Sequence, residues 1–137
     1  MNRAFVAVVT AVLTAASVLV ASARAKEGVV ARVLSPIQRD APAGKTVTVV
    51  WTLSSVEAGK RHPFNAEGIF IRLFGPDGSR SARAYATQPE VGRYRATVAI
   101  PRGGVRRVVI GLMGTSCDSN GCRPAPVLFT VAGEPLR

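Results

Sequence analysis

From Val29 onward, apolar residues gather in short runs separated by Gly, Pro, Asp and Ser. Within several runs they alternate strictly with polar residues. Val47, Val49, Trp51 and Leu53 share one parity, and Thr46, Thr48 and Thr52 share the other. A period of two with threonine on the second face predicts a half-buried antiparallel strand over 46–53, with Trp51 at the centre of the core. The alternation is cleanest over Gly92–Ile100, where Tyr94, Ala96, Val98 and Ile100 oppose Arg93, Arg95 and Thr97. Further strands are predicted over Val29–Leu34, Ile69–Phe74, Ala82–Thr87, Val105–Met113 and Val127–Val131. Arg83 marks the fourth of the seven, Ala82–Thr87, as an edge strand, because a charge there discourages strand addition. Ala41-Pro42-Ala43-Gly44, Gly75-Pro76-Asp77-Gly78 and Pro101-Arg102-Gly103-Gly104 carry turn chemistry: Pro presets φ and Gly accepts positive φ. Ser54–Gly68 reads as a long polar connection, and the Cys-bearing segment after Met113 as a Gly-rich loop. No helix of ten residues is predicted after Lys26. About seven short strands with regular turns define the expected fold class: all-β, an immunoglobulin-like antiparallel β-sandwich.

The first 25 residues follow a different rule. Met1–Arg3 is a short positive start, Ala4–Val20 is almost unbroken Ala, Val and Leu, and Ala23-Arg24-Ala25 sets small residues at a cleavage point. That order predicts a signal-peptide helix over 1–25, removed before Lys26, and one mature domain over 26–137. Cleavage after Ala23 and retention as a membrane anchor are the alternatives, since the apolar stretch is about long enough to span a bilayer. No Cys follows the run directly, which excludes lipoprotein processing. No second apolar span is predicted, so no stable membrane span is expected after cleavage. The expected location is periplasmic or extracellular.

Composition then narrows the partners. The chain carries 18 basic and 8 acidic residues. Loss of Arg3 and Arg24 with the leader leaves a domain of about +8 whose cations are mostly arginine. Export argues against nucleic acid despite that charge. The cations are dispersed, with no long basic run. They fit either a self-repelling soluble surface or attraction to an anionic envelope component.

Cys117 and Cys122 are the only cysteines, with four residues, Asp118-Ser119-Asn120-Gly121, between them. In an exported domain an even cysteine count points to a disulfide. A redox pair would prefer a Cys-x-x-Cys spacing. A metal site would need further ligands, and His62, Met113 and Asp118 are the candidates. A single histidine excludes a blue-copper set. No nucleophile elbow or phosphate-cradling glycine loop occurs. A triad would have to recruit His62, and none of the serines is singled out as its partner. The expectation is a non-enzyme with no cofactor and no metal.

The runs Val47-Thr48-Val49-Val50-Trp51-Thr52-Leu53, Gly68-Ile69-Phe70-Ile71-Arg72-Leu73 and Gly92-Arg93-Tyr94-Arg95-Ala96-Thr97-Val98 resemble the YtkA-like group. These are small exported bacterial immunoglobulin-like domains, akin to FixH accessory proteins. The resemblance spans roughly Ala41–Val131. It implies an extracytoplasmic accessory or binding module and brings no catalytic residues with it. Some members of that neighbourhood handle copper. Three functions therefore stand as expectations. The first is a non-enzymatic binding or accessory module of the bacterial envelope, contacting an envelope protein or anionic component. Its candidate binding loop contains Lys60, Arg61, His62 and Phe64, with the cysteine loop as a further contact. The second is a periplasmic metal (copper) handling accessory protein. The third is a structural protein that associates with anionic envelope surfaces.

Overall fold

The computed structural model describes residues 28–137. The predicted leader over 1–25 and the cleavage point before Lys26 lie outside them. The strands are β1 (Val29–Val33), β2 (Thr46–Glu57), β3 (Lys60–Pro63), β4 (Ile69–Phe74), β5 (Ala84–Tyr85), β6 (Thr87–Glu90), β7 (Arg93–Ala99), β8 (Arg107–Asp118), β9 (Gly121–Leu128) and β10 (Thr130–Ala132). They form two sheets. The first runs β10-β1-β2-β7-β6, with β3 added to β2, and the second runs β5-β4-β8-β9. Every pairing among these strands is antiparallel except β1 with β10. The all-β two-layer expectation is borne out. Among the described residues, no helix is long and apolar enough to cross a membrane.

The alternation seen in the sequence is the packing pattern of the core. Val49, Trp51 and Leu53 of β2 and Tyr94, Ala96 and Val98 of β7 are buried from one sheet. They meet Ile69, Ile71 and Leu73 of β4 and Val108 and Ile110 of β8 from the other. Trp51 and Tyr94, opposite one another in the β2–β7 register, stack with ring centroids 6.1 Å apart.

Four segments depart from the sequence-based expectation. The polar connection 54–68 is a hairpin: β2 runs on to Glu57 and returns as β3. Its two-residue turn places Ala58 at φ 48° and Gly59 at φ 75°, the pair of left-handed residues that matches the twist of a hairpin. Ala-Gly lacks the Asn or Asp that normally announces such a turn, which is why the pattern read as a loop. The cysteine segment is likewise a hairpin, β8 and β9 pairing to their tips at Asp118 and Gly121. The strand expected over Ala82–Thr87 divides, β5 joining the second sheet and β6 the first. The last expected strand divides too. Phe129 is buried, its N–H donates to the Ile110 carbonyl, and the chain passes there from the second sheet to the first.

Ala58 is the only described non-glycine residue with positive φ. Ala58→Asn is therefore expected to stabilise the protein by roughly 0.5–1 kcal/mol, because asparagine tolerates the left-handed region that alanine resists. An increase in the urea midpoint checks this.

Candidate functional site

The hairpin β2–β3 stands at the junction where β7 leaves the edge of β2. Both β7 and β3 pair with that edge, β7 along Thr46–Thr52 and β3 along Ser54–Glu57. The hand-over is hydrogen-bonded. Leu53 N–H donates to the Gly92 carbonyl at 2.8 Å, and Phe64 N–H donates to the Leu53 carbonyl at 2.9 Å. Gly92 lies so close to Pro63 that a Cβ there would collide with the proline ring. The 64–66 segment is fixed from beneath. Tyr94 Oη donates to the Phe64 carbonyl at 2.9 Å and accepts from Ala66 N–H at 3.1 Å, and Asn65 Oδ1 accepts from Gly92 N–H at 3.0 Å and from Gln88 Nε2. A buried tyrosine thus ties this surface feature to the core.

Above this junction lies an open groove of about 590 Å³, lined by Arg32, Thr52, Leu53, Ser54, Arg61, His62, Pro63, Val91 and Gly92. The cations come from separate strands, Arg32 opposite Thr52 on β1 and Arg61 on β3. Arg61 Nη1 donates to Ser54 Oγ at 3.0 Å, which aims the guanidinium along the hairpin. Arg93, on the far side of Thr52, is already paired with Glu90 at 2.5 Å. Arg32 and Arg61 have no carboxylate partner among the described residues. Val91, 66% exposed, supplies an apolar wall. The lining residues bear positive charge and apolar surface and no carboxylate, an arrangement suited to holding an anionic group.

The structure separates the four candidate loop residues. Arg61 and His62 line the groove. Lys60 sits at the hairpin tip, opposite Glu57 and exposed. Phe64 turns toward the core, its ring 5.8 Å from that of Phe129 in an edge-on contact. Arg32, Thr52, Val91 and Gly92 were missed, because they lie up to about 60 positions apart in the chain and only sheet register joins them. The single local signal was Val91, an apolar residue in a turn otherwise built from polar residues and glycine.

Cys117 and Cys122 form a disulfide, as expected, and stand directly opposite each other in the β8–β9 register. The hairpin tip beyond them is closed by Asp118, whose Oδ1 accepts from Asn120 N–H at 2.9 Å and whose Oδ2 pairs with Arg123 at 2.7 Å. The bond consumes both thiolates, so neither is a metal ligand in this form. Among the described residues, no three His, Cys, Asp or Glu side chains gather where they could hold a metal ion. The disulfide closes a loop of only a few residues on an exposed arm. Its reduction is expected to cost about 2 kcal/mol and to loosen the tip without unfolding the sandwich. Non-reducing mass spectrometry should find no free thiol, and hydrogen exchange after reduction should rise only around 114–125.

Comparisons with protein-family models, with curated proteins and with solved structures gave no match.

Proposed function

We propose that this chain is an exported, non-enzymatic, immunoglobulin-like binding module of the bacterial cell envelope. The leader pattern over 1–25, and the disulfide that suits an oxidising compartment, support export of the domain 26–137. The strand order supports the immunoglobulin-like reading. In one sheet β1-β2-β7-β6 corresponds to A-B-E-D, and in the other β5-β4-β8-β9 corresponds to C′-C-F-G. The parallel pairing of β10 with β1 closes the first sheet with the end of the chain. Two departures go with that reading: the tryptophan lies on the second strand, and the disulfide closes the last hairpin instead of joining the sheets. A kinship with the YtkA-like group belongs to this same proposal.

The observation that carries the binding function is the groove beside β2–β3. Two arginines without acidic partners, a histidine and an apolar wall converge there on a hydrogen-bonded frame. The ligand it suits is an anionic group of an envelope component. A photo-crosslinking residue at Val91, introduced in the exporting cell, is expected to yield a discrete adduct. In Arg32→Gln/Arg61→Gln its yield should fall about tenfold or more, the loss of at least one charge-assisted hydrogen bond. No adduct, or one indifferent to both arginines, would overturn the groove as the binding site.

A further inference from the structure

The outer face of the second sheet does not follow the usual rule. An antiparallel sheet packed on one side presents polar residues on the other. Here β4 turns Phe70, Arg72 and Phe74 to that side in alternation, Phe70 covered by its neighbours and the other two half-buried. Across from them on neighbouring strands stand Tyr85, Val109 and Arg107 respectively. Arg83, just before β5, lies over the Phe70 ring at 5.4 Å, and Arg107 lies over the Phe74 ring at 4.3 Å. Val109, Pro126 and Leu128 complete a shallow concavity of about 160 Å³ whose lining contains no carboxylate.

The cations of this face have donors to spare. A guanidinium over a ring keeps N–H donors that the ring does not consume. Arg72, on the same face as these two arginines, buries its Nε without a hydrogen-bond partner among the described residues. Burial first, and then the like charges of Arg83 and Arg80, push its guanidinium below the ordinary range, and those like charges are relieved by an anion between them. Tyr85, 57% exposed, borders the patch with an amphipathic ring. An apolar floor under a rim of arginines, edged by tyrosine, is the chemistry of a protein face that meets lipid phosphates.

We propose that this sheet face docks on the surface of an anionic phospholipid membrane, with Arg72, Arg83 and Arg107 on the lipid phosphates and exposed Tyr85 with the half-buried Phe74, Val109 and Pro126 against the interface. The inference rests on the exported-module reading and adds an orientation to it. The groove beside β2–β3 opens from the other sheet, so a docked molecule presents it away from the bilayer.

The test uses the protein recovered from exporting cells and sedimented with vesicles. Binding is expected with phosphatidylcholine vesicles containing phosphatidylglycerol and absent with phosphatidylcholine alone. Arg72→Gln/Arg83→Gln/Arg107→Gln should weaken it about a hundredfold, roughly fivefold for each cation at an anionic surface. Lys45→Gln/Arg93→Gln/Arg95→Gln, an equal charge loss on or beside the opposite sheet and outside the groove, should leave most of it. Equal losses in the two variants, or no dependence on phosphatidylglycerol, would overturn the proposal. Tyr85→Trp reports the face with every arginine intact, so it covers the case in which the triple variant fails to fold. Its emission should shift to the blue with anionic vesicles, while buried Trp51 is unaffected. A shift produced by polyglutamate and not by vesicles, or binding displaced by inorganic phosphate beyond the effect of chloride at equal ionic strength, would assign the face to another anion and refute membrane docking. The Val91 crosslink reads the groove separately, so either site can fail while the other stands.

Discussion

Trp51→Ala is expected to lower the unfolding free energy by about 3–5 kcal/mol, the range for removing a large aromatic residue from a packed core. Trp51 is 0% exposed and lies at the middle of β2, the strand that pairs with β1, β3 and β7. Its ring stacks on Tyr94, whose hydroxyl holds the 64–66 segment under the groove. The cavity left by alanine would therefore loosen both the core and the groove floor. Trp51→Phe separates packing from polarity. The indole Nε1 is buried with no hydrogen-bond partner among the described residues, and phenylalanine removes that orphaned donor along with part of the ring. The phenylalanine variant should thus lose much less than the alanine variant, about 1–2 kcal/mol. Urea denaturation of the three proteins checks the order. An alanine variant with an unchanged midpoint would place the ring outside the core.

Gly104→Ala is the second large effect, expected to cost roughly 3 kcal/mol or more. Gly104 holds φ at +87°, and a Cβ there would overlap the Arg39 carbonyl oxygen, far inside van der Waals contact distance. That oxygen is not free to retreat. It accepts the Val105 N–H at 2.8 Å, while Arg39 N–H donates to the Arg137 carbonyl at 2.9 Å. Moving it would disturb fully buried Val105 and the chain's C-terminal contact together. Gly78→Ala supplies the control. Gly78 has a similar φ of +79° with nothing within 4 Å of its added Cβ, so it should show the backbone cost alone, about 1 kcal/mol. Similar losses at the two positions would refute the steric account.

The elements of this fold that were legible in the sequence are those set by neighbours in the chain. Thr46–Leu53 and Gly92–Ile100 each carry a two-residue period, and each forms a strand burying the face expected of it, with Val47 only half covered at the end of the row. Cys117 and Cys122 are close enough in sequence to pair across one tight hairpin. Less was visible where polar residues form strands. Lys60–Pro63 is exposed throughout and shows no apolar alternation; it becomes a strand because Ala58-Gly59 turns the chain back onto β2.

Tertiary structure decided everything that depends on which strands become neighbours. Phe70 illustrates it: parity assigns it to the outer face of β4, yet it is 2% exposed, because Tyr85 and Leu128 of neighbouring strands and Arg83, just before β5, close over it. Arg72, Arg83 and Arg107 look like dispersed charges along the chain, and sheet order alone gathers them on one face. Arg32 and Arg61 reach one groove by the same route, each on a strand that pairs with β2. Strand formation is a short-range matter of side-chain period and turn chemistry, which one sequence carries. A binding surface is made by long-range register, and that follows from packing the two sheets together.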